Sequence, residues 1–369
     1  MSKRRMQSMA SLLVGVLTAW LGVAQAQVPD YIIQLNAAPL KAQAGAKEPA
    51  QPAAPAAKPA VAPAARGKPR IAVLLPLGSP RLGEAAEVVR QGVEAAAAVD
   101  GKAEVLVVAA DETNVGARYQ AALADGANVV IGPLTRQGIA AVAPLVKVPT
   151  LALNALEPGL PANPKLYSLA LAVEGEAQQI AGVMYEDGRR APLVVASPDV
   201  LSARLRKAFV EQWQAVGGKN ARVVEPGAGL AAAAAQADAV FLAVDDQEAG
   251  AIRQALPPEL PVYATSQLNS RHPPAALDNV RLIDMPWFLM PQHEAVKRYP
   301  RPDSALTMQT ERLYALGIDA YRLAVLLANP KTPVASLRLD GVTGDLQLGR
   351  DRQFTRQLPL AVLGAGGLQ

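Results

Sequence analysis

A chain of 369 residues that is 51% hydrophobic and 18% charged is long enough for more than one hydrophobic core and too apolar for a disordered polymer. Its formal net charge of +4 is concentrated in the first 68 residues, and the remainder holds slightly more acids than bases, so nothing marks it as a nucleic-acid binder. With no cysteine, it has neither disulfide nor thiol chemistry, and no residue to carry a thioether-linked lipid.

Lys3, Arg4 and Arg5 precede an apolar run from Met9 to Val23 and the small-residue signal Ala24-Gln25-Ala26. The run is shorter than the roughly 20 residues of a membrane span, so residues 1–26 read as a cleaved signal peptide, with Gln27 as the mature start and a soluble periplasmic product without a lipid anchor. Residues 27–68 follow as an Ala/Pro-rich tether, in which prolines remove donors and alanines offer little area to bury. Fully extended, it would reach about 130 Å at about 3.1 Å per residue. Only Tyr31-Ile32-Ile33-Gln34-Leu35 interrupts it, a short apolar patch expected to pack on the domain's own surface, with a docking strand as the alternative.

From Pro69 strands and helices alternate. Ile71 to Leu75 is a buried-strand pattern, followed by a loop at Pro76 to Pro80 and a helix whose apolar face is Leu82, Ala85, Ala86, Val89, Val93, Ala96 and Ala97. Glu104 to Ala109, Val129 to Ile131 and Thr150 to Leu153 repeat the strand pattern. Between the last two, Gly132-Pro133 forces a turn and Thr135 can cap the next helix. A second set begins after Tyr167-Ser168-Leu169, with a helix bearing Ala177, Ile180, Ala181 and Met184, a strand at Leu193 to Ala196, and a helix bearing Leu205, Ala208, Phe209 and Trp213. Strands near Ala221 to Val224, Ala239 to Val244 and Val262 to Thr265 complete it. The fold class is therefore α/β, with two lobes, each a doubly wound, mostly parallel sheet. The expected division of residues 69–369 places about 69–170 and 286–330 in the first lobe and about 171–285 and 331–369 in the second. Three crossings join them, near Ser168 to Leu171, near Asp284 to Trp287 and after Asn329, and Leu337 to Leu348 forms a closing hairpin.

Ligands of open parallel sheets bind at the carboxyl ends of the strands. The candidate cleft residues are accordingly Ser79, Gly132, Thr135, Asn154 and Ser168, with Ser266 and Gln267 facing them from the second lobe. Ser79 and Thr135, with the backbone N–H groups beside them, precede helix N-termini, which favour an anion, and capping alone would also explain them. No Ser-x-x-Lys, Gly-x-Ser-x-Gly, Walker loop or strand-linked Gly-x-Gly-x-x-Gly occurs, so no catalytic residues and no nucleotide cofactor are assigned. His272 and His293 lack partners at metal spacing, and Asp245-Asp246 reads as a helix cap rather than an acid–base pair.

Ile71 to Leu77, Ile131-Gly132-Pro133-Leu134-Thr135 and Gly341-Val342-Thr343-Gly344 resemble the type I periplasmic-binding fold. Pro149 to Asn154, Tyr263 to Gln267, Asp284-Met285-Pro286-Trp287 and Leu313 to Tyr321 more narrowly resemble the penicillin-binding protein activators, the LppC or LpoA lipoproteins. That resemblance implies a non-enzymatic regulator that contacts a bifunctional penicillin-binding protein, a peptidoglycan synthase, and stimulates it. The alternative is a periplasmic solute-binding protein for amino acids or other small ligands. Against it, Pro198 to Ser202 offer no aromatic to cover a ligand, and Thr265-Ser266-Gln267 offer no carboxylate for an ammonium.

Overall fold

A computed structural model describes residues 67–364 except Asn220, together with the backbone of Gly367–Leu368. The expected signal peptide, and the expected tether up to Arg66, lie outside the described residues. Arg70–Leu75 (β1) is flanked by Glu104–Ala109 (β2) and Val129–Ile131 (β3), and Thr150–Ala152 (β4) and Leu166–Ser168 (β5) extend the sheet in the order β2-β1-β3-β4-β5. Every pairing in it is parallel. Parallel strands need long crossovers, and the helices that provide them cover both faces. Gly83–Asp100 (α1) lies on one face, with Val115–Ala124 (α2) and Arg136–Val142 (α3) on the other.

The second sheet is built from Pro192–Ala196 (β6), Arg222–Val224 (β7), Ala239–Ala243 (β8), Val262–Ala264 (β9) and Arg281–Ile283 (β10), all parallel. Val173–Glu186 (α4) and Val200–Ala215 (α5) cover one face; Leu230–Ala234 (α6) and Asp246–Gln254 (α7) cover the other. The two-lobed α/β fold expected from the alternation is thus present.

Beyond β10 the chain returns to the first lobe through Pro286–Leu289 (α8), Glu294–Lys297 (α9) and the long helix Met308–Ala328 (α10). Ile71, Val73, Val129, Leu151 and Leu169 share one apolar cluster with Leu313 to Leu327 of this helix. Helix α10 packs so closely on α1 that a Cβ at Gly317 would lie 2.2 Å from the Val89 carbonyl oxygen, and one at Gly92 would lie 2.0 Å from that of Tyr314. Only glycine permits that approach.

The final segment departs from expectation. Arg338–Asp340 (β11), Asp345–Leu348 (β12) and Phe354–Gln357 (β13) form a small antiparallel sheet whose Leu346, Leu348 and Phe354, with Leu337 and Val342, join the core of the first lobe. Residues 331–369 therefore do not go to the second lobe as one piece. Alternating strands of this kind have a single apolar face, and here that face joins the cluster to which α10 belongs. Buried Asp319 also accepts from the Val342 and Thr343 N–H groups at 3.1 and 2.8 Å, which fastens the Gly341-Val342-Thr343-Gly344 turn to α10. The third crossing comes only after Phe354. Leu360–Gly364 (β14) then pairs antiparallel with β10, and Gly367–Leu368 (β15) with β14.

Candidate functional site

All three crossings meet at the seam between the lobes, and each places a charge there. The first leads into α4, where Glu176 sits in the opening helical turn, an electrostatically favourable end for an acid. The second begins at Asp284, immediately after β10, and the third carries Arg356 within β13. Arg312 reaches the same place from α10. Asp284 is 0% exposed and Glu176 and Arg312 each 5%, so these charges are removed from water and require partners.

The partners form a chain across the seam. Asp284 Oδ2 accepts from Arg312 Nη2 at 2.5 Å and from Asn269 Nδ2 at 2.7 Å, while its Oδ1 accepts from the Met285 N–H at 2.7 Å. Arg312 Nη2 also donates to the Ser266 carbonyl at 3.1 Å, and the Ser266 N–H donates to Glu176 Oε2 at 3.1 Å. Glu176 Oε1 faces Arg356 Nη2 at 3.5 Å, an ion pair at the long end of contact. Burial pushes the Glu176 carboxyl above the usual carboxylate range, against the opposing pull of Arg356. Burial likewise lowers Arg356, with Glu176 opposing it, but a guanidinium starts so high that it stays cationic.

Leu134, Leu153, Asn154, Val173, Gln309 and Leu316 complete the walls with Ser266, Gln267 and Arg312. The cavity they enclose measures about 40 Å³. That is room for a few waters; a small-molecule pocket needs roughly 300 Å³ or more. Arg312 Nε and Nη1 and Ser266 Oγ, all buried, have no hydrogen-bond partner among the described residues.

Among the expected cleft residues, Asn154, Ser266 and Gln267 line this cavity together. Ser168 lies beside it in a separate groove along β13, its hydroxyl donating to the Asn154 carbonyl at 2.7 Å. Thr135 caps α3, accepting from the Gly138 N–H at 3.0 Å. Ser79 Oγ accepts from the Leu82 N–H at 3.3 Å in the loop before α1. Gly132 has φ of +100°, and a Cβ there would lie 2.1 Å from the Leu74 carbonyl oxygen, so its role is to let β3 turn beside β1. Asp245 caps α7, and His293 caps α9 through Nδ1. Among the described residues, no group of three or more His, Cys, Asp or Glu could hold a metal ion.

The sequence reading missed Glu176, Arg312 and Arg356 as members of the seam. A signal was available for one of them: Arg312 precedes an apolar run in a helix buried nearly all round, where a charge must find a partner.

The family model described as "LppC putative lipoprotein" matches residues 15–230 and 225–366. The penicillin-binding protein activator LpoA of Histophilus somni strain 129Pt is 26% identical over 311 residues, covering 78% of this chain and 52% of its own length. That of Haemophilus influenzae is 29% identical over 259 residues, covering 63% and 43%. The chain thus spans about half the length of the curated relatives it matches. Among solved structures, one described as "a putative branched-chain amino acid ABC transporter" from Chromobacterium violaceum ATCC 12472 is 59% identical, with a TM-score of 0.77, covering 80% of this chain and 100% of that one. The LpoA C-domain from Haemophilus influenzae, described as a regulator of PBP1A, superimposes with a TM-score of 0.68 at 24% identity over 81% of this chain and 98% of its own, a likeness of fold. With its family model matched across both lobes, this chain belongs to the LppC family.

Proposed function

We propose that this protein is a non-enzymatic envelope regulator that binds a bifunctional penicillin-binding protein and raises its peptidoglycan cross-linking activity. Family membership supports this, together with relatives named as penicillin-binding protein activators. The single structural observation that carries the reading is the seam: where a two-lobed binding protein would enclose a solute, this chain sets its own Glu176 and Arg312 into the wall of a cavity of about 40 Å³ and ties them to Arg356 and Asp284. Partner binding then falls to the outer surfaces, with two lobes held in one orientation as a platform. In this reading the chain is exported through a leader spanning residues 1–26 and works in the periplasm from Gln27 onward, with residues 27–68 as a spacer. No helix among the described residues is long and apolar enough to cross a membrane.

The test is transpeptidation by purified bifunctional synthases with and without the protein, and the expected result is a severalfold stimulation of one of them. A second reading, solute binding, is favoured by the transporter description of the 59% identical structure and by the unpartnered donors of Arg312 and Ser266, which suit a carboxylate. Calorimetry with leucine, isoleucine and valine separates the two. Micromolar binding of an amino acid with no effect on any synthase would replace the first reading by the second.

A further inference from the structure

The cavity at the seam carries more hydrogen-bond donors than its walls answer. Arg312 and Ser266, which line it, are 5% and 1% exposed. Arg312 commits Nη2 to Asp284 and to the Ser266 carbonyl, while its Nε and Nη1 and the Ser266 Oγ have no hydrogen-bond partner among the described residues. The guanidinium lies over the Phe288 ring, its Cζ 5.0 Å from the centroid, and that ring offers no lone pair. Buried N–H groups of a cation are costly to leave unanswered.

Most of the wall is aliphatic, from Leu134, Leu153, Leu171, Val173, Leu313 and Leu316. A water that answers Arg312 there brings two protons of its own that need acceptors, whereas an anion brings none. The carboxylate in the wall, Glu176, already accepts from the Ser266 N–H and faces Arg356. The charge count points the same way. Glu176 and Asp284 balance Arg312 and Arg356 when all four are ionised, and burial favours the neutral form of Glu176, which leaves one positive charge in excess.

We propose that the seam cavity binds one small monovalent anion of chloride size, held by Arg312 and by the Ser266 hydroxyl. The size follows from the volume of about 40 Å³, room for an ion little larger than a water and far below the roughly 300 Å³ of a small-molecule pocket. A halide accepts from donors in any direction, so it suits N–H and O–H groups converging from two lobes. The ion and a proton enter together. With Glu176 protonated the anion restores neutrality, and with Glu176 ionised it meets a carboxylate in the same wall. The charges facing Glu176 are Arg356 from β13, Arg312 from α10 and Asp284 at the end of β10, and the two arginines stay cationic. Once bound, the ion joins α10 of the first lobe to the turn after β9 in the second. This inference rests on the geometry of the seam and on neither reading of function, which leucine and a synthase decide separately.

Thermal unfolding of the full chain near pH 5 tests it, in sodium chloride with sodium gluconate, whose anion is too large for the cavity, holding the ionic strength. Raising chloride from about 10 to about 300 mM is expected to raise Tm by about 3 °C. The paired change Asp284→Leu with Arg312→Met, which removes the guanidinium and keeps the seam neutral, is expected to abolish that rise, and Ser266→Ala to reduce it. Chloride affinity is expected to weaken by up to about tenfold per pH unit as Glu176 loses its proton, and Glu176→Gln to bind chloride with no such dependence. Bromide in crystals of the natural chain gives a direct readout, with an anomalous peak expected within hydrogen-bond distance of Arg312 and Ser266 Oγ. Equal chloride responses in the natural chain and the paired variant would overturn the proposal. So would bromide peaks on the surface alone, an adventitious ion only, which would leave the buried donors to water.

Discussion

The interiors of the lobes and the seam between them are held by opposite means. Inside the first lobe α1 and α10 meet backbone to backbone through Gly92 and Gly317; inside the second, Phe209 stacks between Trp213 and Phe241, with ring centroids 6.0 and 4.7 Å apart. Burial of that kind is non-directional, and each lobe gains from it without regard to the other. The seam instead buries Glu176, Asp284, Arg312 and Arg356, whose desolvation offsets much of their attraction. Its contribution lies elsewhere: hydrogen bonds and ion pairs are directional, so these contacts favour the one placement of the lobes that brings the four residues together. The relative placement of the lobes thus draws on the seam, and the fold of each lobe on its own core.

Breaking the seam from one side gives the largest effect. Asp284→Ala strands Arg312 without its carboxylate and leaves Asn269 Nδ2 without an acceptor, at an expected cost of about 3–5 kcal/mol in urea unfolding. The paired change Asp284→Leu with Arg312→Met removes both charges and is expected to recover most of that loss. It should also loosen the angle between the lobes, visible as a broader distance distribution in solution scattering. A cost below about 1 kcal/mol for Asp284→Ala would show that the ion pair does not hold the seam.

An overpacked core sharpens the contrast. Gly317→Ala pushes a methyl group into the Val89 carbonyl and must separate two helices, so a loss of about 1–3 kcal/mol is expected in thermal or urea unfolding. Because this strain lies within the first lobe, the interlobe angle in scattering should stay unchanged.

The pH dependence of the seam has a definite sign. Glu176 has a folded-state pKa above its ordinary value of 4.5 because burial disfavours its charge. Between the unfolded and folded values the native state holds the proton and the unfolded state does not. This group therefore favours folding most at pH below about 4.5, and the contribution declines as pH rises through the window, with a slope of at most about 1.4 kcal/mol per pH unit. Glu176→Gln is expected to abolish that slope. Urea unfolding of both proteins between pH 4 and 8 measures it, and identical profiles would place the Glu176 carboxylate in water.

Much of this architecture was legible because parallel strands buried on both faces read as unbroken apolar runs, as in Ile71 to Leu75 and Ala239 to Ala243. The glycine at 132 and the caps at Thr135 and Asp245 were equally visible, since their roles are local. The third crossing was not. Whether Arg338 to Leu348 joins one lobe or the other is decided by the bonds from Asp319 to the Val342–Thr343 turn, between residues more than twenty positions apart. The seam was hidden for the same reason. Glu176, Asp284, Arg312 and Arg356 come from four separate stretches, and no periodicity links a helix start, a crossover, a buried helix and a strand. Ser79, Thr135 and Asn154 drew attention as strand-end polar residues, and what each side chain does is set by its nearest backbone.

Thr135 offers the smallest effect and the finest distinction between a group that shapes the fold and one that holds a ligand. Its hydroxyl accepts from the Gly138 N–H at 3.0 Å, the bond expected of an N-cap, and Thr135 does not line the cavity at the seam. Thr135→Ala is expected to cost about 1 kcal/mol, and Thr135→Ser much less, because serine keeps the capping oxygen. Under the regulator reading neither substitution alters stimulation of a synthase beyond what the lost stability explains. Under the solute-binding reading Thr135→Ala weakens amino-acid binding by more than the serine variant does, although the lobes remain folded. Calorimetry and transpeptidation on this one pair of variants therefore report on whether the first lobe's strand-end loops are structural, like the glycine contact of α1 and α10, or belong functionally with the charges at the seam.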